Sequence, residues 1–395
     1  MEQVDLAIIG GGISGVAVAQ CAAAAGYSVV LLEKSTLAAG TSSQSSKLIH
    51  GGLRYLESGQ LDLVRESLRA RRELLRLAPT LVKAVPFFIP VYRDSRRGAL
   101  TLRAGLSLYG LLSEFDRLGR FRSLPARAWG SFPGLKLAGM THMFQYWDAQ
   151  TDDALLTKAV ADSARLLGAD IREGAECLTI EHKPLGCKLS YRDADGDKML
   201  HCRFLVNAAG AFVNELLARV TPPIAQTAID WVQGSHLLLD IPAPPGVLYL
   251  ESCFDERVVF VMPWYGKTLI GTTETLCQGP VPQITREEIA YLLGIYRHYF
   301  GGSGSFTGAV TTEALEAKVL AHFSGMRVLP KGDGDAFGRP REVQLYQRYS
   351  HPRLLTLYGG KLTTFRATAK AVTAEISKVL GKRSPKADVD KLMLG

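Results

Sequence analysis

Residues 5–33 read DLAIIGGGISGVAVAQCAAAAGYSVVLLE, and the fold turns on how this stretch is read. A short aliphatic run, residues 6–9, meets Gly10, Gly12 and Gly15; an alanine-rich segment follows, and a second apolar run ends in Glu33. That order predicts strand, tight turn, helix and strand, the unit that holds a dinucleotide. Gly10 permits the turn, Gly12 lets a pyrophosphate approach the backbone, and Gly15 lets helix and strand pack closely. The first helical turn offers free N–H groups and a positive dipole end to phosphates. Glu33 closes the second strand, where a carboxylate accepts hydrogen bonds from a ribose. A GxGxxG pattern alone is weak evidence, but here a strand precedes it, a helix follows, and the acid stands about twenty residues on.

Residues 6–32 carry no charge, which could suggest a membrane span. Five glycines break the run, however, as in a buried βαβ unit. Glu2 and Asp5 stand where a signal peptide has its basic segment, so a cytoplasmic start is expected. The chain has 395 residues and 47% hydrophobic content, enough for a sizeable core and two domains. Six cysteines are scattered without a CxxC pair, so reduced thiols are expected, with neither a metal centre nor a disulfide framework. A net charge of +8 favours anionic partners, such as phosphorylated metabolites or anionic lipid. Nucleic acid is not expected, because no basic arm or reader motif is present.

After Glu33 the chain becomes rich in small hydroxyl residues: TSSQSSKLIHGGLRYLE, residues 41–57. Such a run forms helix and strand poorly and is rich in donors, so it reads as a wrap around the cofactor. His50 is followed by Gly51 and Gly52, which admit close backbone approach, and then by Arg54 and Tyr55. This segment resembles the signature of the FAD-dependent glycerol-3-phosphate dehydrogenases, among the glutathione-reductase-like flavoproteins of the D-amino-acid-oxidase type. The resemblance runs from GGGISG (10–15) to YGGKLTTFRATAKAV (358–372) and includes GSH (234–236), FVMPW (260–264), IGTTE (270–274) and HFSGMRVLP (322–330). Two departures stand out. Glu274 replaces the usual Asp, and Ala209, Ala211 and Phe212 fall where the family has ATGPW. Family members also carry a further helical domain after the point where this sequence ends, which leaves the quinone route and the oligomer open.

The resemblance implies an α/β fold: a Rossmann-like FAD domain of glutathione-reductase type, interleaved with an α+β substrate domain containing an antiparallel sheet. The expected FAD segments are 1–80, 150–225 and 335–395, and the substrate segments 81–149 and 226–334. It implies FAD as cofactor and hydride transfer from sn-glycerol 3-phosphate, giving dihydroxyacetone phosphate, with electrons passed to a quinone or another acceptor. The cofactor contacts it implies are Gly10, Gly12, Gly15, Glu33, Lys34, Thr41, Ser42, Ser43, Ser46, Lys47, Leu48, His50 and Gly51 early in the chain. Later come Cys177, Ala209, Gly210, Gly360, Lys361, Leu362 and Thr363. Gly359, Gly360 and the following helix start offer N–H groups to negative charge on the reduced flavin, and Lys361 adds a full charge. Arg54, Tyr55, Arg327, Arg341 and Lys361 are the expected substrate contacts, Arg327 also acting in catalysis. His50 is the first choice of base and His236 the second. Three alternatives stay open: an oxidase that uses oxygen, a dehydrogenase of another anionic 2-hydroxy compound, and a non-catalytic FAD-binding subunit.

Residues 60–77 predict an amphipathic helix with Arg65, Arg69, Arg72 and Arg76 on a solvated face, partly paired with Glu66 and Glu73. Arg93, Arg96, Arg97 and Arg103 adjoin a leucine-rich helix, 100–112, whose mixed faces suit an interfacial helix. The resemblance favours a peripheral site on the cytoplasmic membrane face; a partner chain or homo-oligomer is a further candidate. A helix at 154–167, one strand at 169–180 and a meander to 206 are expected next. Strands at 231–239, 247–250, 258–263 and 269–273 and a helix at 286–299 follow.

Overall fold

A computed structural model describes residues 2–114, 116–301, 311–332 and 342–395 of the chain; Arg341 lies outside the described residues. The opening unit is a strand β1 (Glu2–Ile9), a helix α1 (Ile13–Ala24) and a strand β2 (Val29–Leu32). Leu6 and Ile8 point into one apolar cluster, Ala7 and Ile9 into another, so β1 is buried on both faces. This explains a near-continuous apolar run where a half-exposed strand would alternate. α1 is buried on nearly every side, against the helices Asp153–Leu166 and Phe365–Leu380, and therefore carries no charge.

β1 runs parallel to β2 on one side (Leu6 opposite Val29) and to the strand Gly196–Asn207 on the other (Leu6 opposite Phe204). One edge of that long strand serves two partners: Gly186–Asp193 along its first half and Leu354–Tyr358 along its last residues. The expected single strand at 169–180 is in fact two, Asp170–Arg172 and Glu176–Lys183, broken at Gly174, whose φ is +67°. They lie five places apart in the strand order. A flat sheet would separate them by ~24 Å at its ordinary spacing, whereas the connecting residues reach only ~14 Å. The sheet is therefore strongly curled, bringing the meander back over the cavity side of β2.

The second sheet has two long strands that the sequence reading did not anticipate, Val82–Tyr92 and Met140–Thr151, paired antiparallel from Val82–Thr151 to Tyr92–Met140. Leu48–Ile49 adds to this pair opposite Gln150 and Ala149, so part of the expected first FAD segment hydrogen-bonds to the substrate sheet. Ile229–Pro242 pairs along its length with Val319–Pro330, and on its other edge with Lys267–Gly271 and Thr275–Cys277. The sheet is antiparallel apart from one parallel contact among the described strands, Val247 and Leu248 beside Phe87 and Phe88.

The helix Leu61–Leu77 buries Leu63, Val64, Leu68, Leu74 and Leu77. Its outer arginines find other acids than those expected: Arg65 pairs with Asp62, and Arg69 and Arg72 with Glu114. Arg71, between them, is fully buried. In the following basic segment Arg97 pairs with Glu57 and Glu251, and Arg96 with Glu256. Leu100 and Leu111 of the helix Ala99–Leu112 are exposed. No helix among the described residues is long and apolar enough to cross a membrane.

Candidate active site

Between the two sheets lies a cavity of about 1030 Å³. Its dinucleotide end is shaped by the glycines of the first turn, each for a different reason. Gly10 has φ +114°, and a Cβ there would stand 2.4 Å from the Ala208 carbonyl oxygen. A Cβ on Gly15 would stand 1.9 Å from the Gly10 oxygen. Both are required by the protein's own backbone. A Cβ on Gly12 would meet only the Ser42 hydroxyl, at 3.1 Å, and its open side faces the cavity. That is the cradle a pyrophosphate needs at the start of α1. The Ile13 N–H donates to Ser42 Oγ at 2.8 Å, so a hydroxyl already stands at this helix start. Glu33 accepts from the Gly11 N–H at 2.7 Å and from Ser35, and its side chain lines the cavity.

Lys34, Cys177, Ala209 and Gly210 line the same end; Leu48, Gly360, Leu362 and Thr363 line the cavity further on. The Lys34 ammonium lies 3.7 Å from the centre of the Phe212 ring, so the departure at Phe212 has a local partner. Burial pushes the Cys177 thiol up to about 12, which makes it an inert wall. Thr41 does two things. It lines the cavity, and its hydroxyl donates to the Met326 carbonyl at 2.8 Å while accepting the Met326 N–H. Three expected cofactor contacts instead hold the loop. Ser43 donates to the Gly40 carbonyl, the Lys47 ammonium turns to buried Asp153 at 2.7 Å, and the Gly51 N–H points to Tyr109. None of these three is among the residues that line the cavity.

Beyond His50 a smaller compartment of about 90 Å³ adjoins the cavity, sharing Ser46, His50, Tyr55 and Arg327 with it. Arg54, Arg257, Thr272, Thr273 and Glu274 add further polar groups to its lining. Arg327 comes from Val319–Pro330 and pairs with Glu274 at 3.2 Å. Burial holds its pKa below the usual guanidinium range; Glu274 opposes that shift, and the nearby Arg54 adds to it. The two guanidinium groups, from segments far apart in the chain, are thus close enough to repel. The Tyr55 ring takes Arg54 at 5.2 Å and the Lys361 ammonium at 4.2 Å. Gly52, with φ +75°, makes room for that ring, which a Cβ would meet at 2.2 Å.

His236 is deeply buried, stacked on Phe323 at 4.9 Å, with Nε2 2.9 Å from Ser46 Oγ. Burial first, then Arg327 and Lys47, push its pKa down to about 3. A shift in that direction disfavours proton uptake at this ring, so His50 keeps first place among the expected bases. Its Nδ1 is buried with no hydrogen-bond partner among the described residues, an unmet polar atom on the wall of a cavity fitted for a large polar cofactor. His50 stands on the border of cavity and compartment, its ring 6.5 Å from that of Phe260.

The sequence reading missed the groups that hold this site in place. Asp153 accepts from Ser45 and Lys47, and Asp148 from Arg71, Tyr109 and Gly51. Glu288 accepts from Gln233, Ser235, Thr273 and Thr275, fixing the wall that carries Glu274. Arg257 donates to the Glu274 carbonyl from the other side. The acids of the run WDAQTDD, residues 147–153, were the only visible hint.

Residues 5–374 match the family of FAD dependent oxidoreductases, DAO. A glycerol-3-phosphate dehydrogenase of Pseudomonas aeruginosa is 36% identical over 395 residues, covering 97% of this chain and 73% of the relative. The D-erythritol 1-phosphate dehydrogenase of Brucella abortus is 35% identical, covering 93% of this chain and 72% of the relative. In fold, the chain is similar to the glycerol-3-phosphate dehydrogenase of Bacillus halodurans complexed with FAD. That match has a TM-score of 0.73 at 23% identity, over 99% of this chain and 68% of that one. A glycine turn with its open side to the cavity and a family match over most of the chain agree: this chain belongs to the FAD dependent oxidoreductase family, and its cofactor is FAD.

Proposed function

We propose that this protein oxidises the secondary hydroxyl of sn-glycerol 3-phosphate to the ketone of dihydroxyacetone phosphate and passes the electrons to a quinone or another acceptor. The observation that carries the reading is the convergence of Arg54 and Arg327 on one small compartment beside His50. A phosphate dianion entering a partly buried site needs such cations, because an unpaired buried charge is prohibitively costly. Guanidinium groups hold phosphate through two parallel hydrogen bonds. Tyr55 and Lys361, packed on one another, stand beside this pair, and Lys361 reaches the cavity wall. FAD, when bound, supplies the hydride acceptor. His50 takes the hydroxyl proton, its imidazole having a suitable intrinsic basicity for that role.

The D-erythritol 1-phosphate relative supports a second reading, in which a longer polyol phosphate is oxidised by the same groups. Anaerobic bleaching of the yellow protein separates the two, with glycerol 3-phosphate and erythritol phosphate compared at equal concentration. Arg327→Lys and Arg54→Gln should keep their FAD, and the first should bleach about a hundred-fold more slowly. If both bleach at the wild-type rate and with unchanged affinity, this compartment does not bind the phosphate and the assignment fails.

The proposal extends to contact with an anionic membrane surface through the helix Ala99–Leu112. Exposed Leu100 and Leu111 support it, with Arg103, whose guanidinium lies over the Phe144 ring. Arg96 and Arg97 are engaged by acids and contribute less than the sequence alone suggests. Co-sedimentation should be salt-sensitive on anionic vesicles and weaker on neutral ones; equal partition onto both counts against the electrostatic part.

A further inference from the structure

The sequence His50–Gly51–Gly52 has a purpose that cofactor approach does not supply. Gly51 does not line the cavity, yet a Cβ there would stand 2.4 Å from the Tyr109 hydroxyl and 2.5 Å from Leu68. The space is taken by a hydrogen bond: the Gly51 N–H donates to Tyr109 Oη at 2.9 Å. The Tyr109 hydroxyl in turn donates to Asp148 Oδ2 at 2.8 Å. Asp148 receives Arg71 Nη1 at 2.6 Å, and the same nitrogen donates to the Trp147 carbonyl at 2.9 Å. Arg71, Tyr109 and Asp148 are all buried. Tyr109 comes from the helix Ala99–Leu112 and Asp148 from the strand Met140–Thr151, so two elements meet on one backbone amide, and Arg71 from the helix Leu61–Leu77 braces them through Asp148.

We propose that Tyr109, fixed by Asp148 and Arg71, is a positioning residue that holds the Gly51 amide and thereby sets the place of the His50 ring. The inference rests on the reading of His50 as the base. A buried network closed by a charge-assisted hydrogen bond, here Arg71 Nη1 to Asp148, holds its geometry far more firmly than a loop anchored by packing alone. His50 is the residue next to the anchored amide, and small displacements of a reacting group are costly to rate. Among the described residues, the only other acceptor near the Gly51 N–H is Asp148 Oδ1, at a long 3.3 Å. Removing the tyrosine hydroxyl therefore loosens the amide without emptying the core. The ring itself stays packed edge-on against Tyr146, with centroids 5.9 Å apart.

The test compares Tyr109→Phe with His50→Gln and with the double variant, all as FAD-loaded protein. Tyr109→Phe should bind FAD and substrate as the wild type does but reduce its flavin about ten-fold more slowly under anaerobic conditions. Deuterium uptake by a peptide spanning residues 48–56 should rise in that variant. In the His50→Gln background Tyr109→Phe should cost no further rate, because the group it positions is already gone. Leu106→Ala, a cavity in the same apolar cluster, should lower the melting temperature while changing the reduction rate less than two-fold. Wild-type reduction by Tyr109→Phe, with His50→Gln slow, overturns the positioning role and leaves the base reading standing. Full additivity in the double variant overturns it too. Wild-type reduction by His50→Gln removes the base assignment, and the inference with it.

Discussion

At the dinucleotide end of the cavity the site is made by what is missing: Gly10, Gly12 and Gly15 have no side chain, backbone lies against backbone at Gly10 and Gly15, and the open side of Gly12 faces the cavity. At the substrate end it is made by buried charge. Asp153, Asp148 and Glu288 each sit out of contact with solvent, and each gathers hydroxyl, amide or cationic donors from separate elements. The first design depends on one short run of chain and on steric exclusion, so each glycine acts almost alone. The second depends on completeness. A buried carboxylate is tolerable when all its donors are in place and expensive when one is lost. The FAD end should therefore fail in single steps, and the substrate end as networks.

Substitutions in the first turn give the sharpest contrast. Gly12→Val should yield folded protein without FAD, since its Cβ meets only the Ser42 hydroxyl within the protein. Gly10→Val should fail to fold, since its Cβ meets the Ala208 carbonyl at 2.4 Å in a backbone conformation that side chains avoid. Flavin absorbance per polypeptide, with circular dichroism of the same samples, reads both. Stoichiometric FAD in Gly12→Val would falsify the assignment of this glycine to the pyrophosphate.

A smaller effect probes the substrate sheet. His236 has its pKa depressed from 6.5 to about 3, so the unfolded chain binds a proton there that the folded chain refuses. The sign follows directly: stability from this group is complete above pH 6.5 and falls as pH drops towards 3. The loss reaches about 2 kcal/mol between pH 6.5 and pH 5. Urea midpoints across that interval should show a gentler slope in His236→Gln than in the wild type. Identical slopes would mean that His236 titrates normally and that this wall is wetter than its packing suggests.

The βαβ unit, its acid and the cofactor class were legible because their causes are local. A turn that needs φ near +114° at Gly10, a helix start that must stay open, and a strand buried on both faces all leave marks within about thirty residues. The hydroxyl-rich loop was recognised by its likeness to a known motif, and its residues then divided. Thr41, Ser42 and Ser46 face the cavity, while Ser43, Lys47 and Gly51 hold the loop that carries them. No spacing rule separates these two sets, because the direction of each side chain depends on Asp153, Tyr109 and Met326, brought up from elsewhere.

By itself, then, the sequence determined the dinucleotide turn, the helix and strand that flank it, and the identity of the cations Arg54 and Arg327. The tertiary structure alone decided that those two cations share one compartment. It also decided that Glu274 faces Arg327, that burial and two nearby cations lower the pKa of His236, and that Arg71 belongs to the core and not to a basic face. The physical reason is the range of the interaction. Backbone sterics act between neighbours in the chain, whereas desolvation and charge pairing depend on what surrounds a group in space. That surrounding is set by strands as distant in sequence as Leu48–Ile49 and Val319–Pro330.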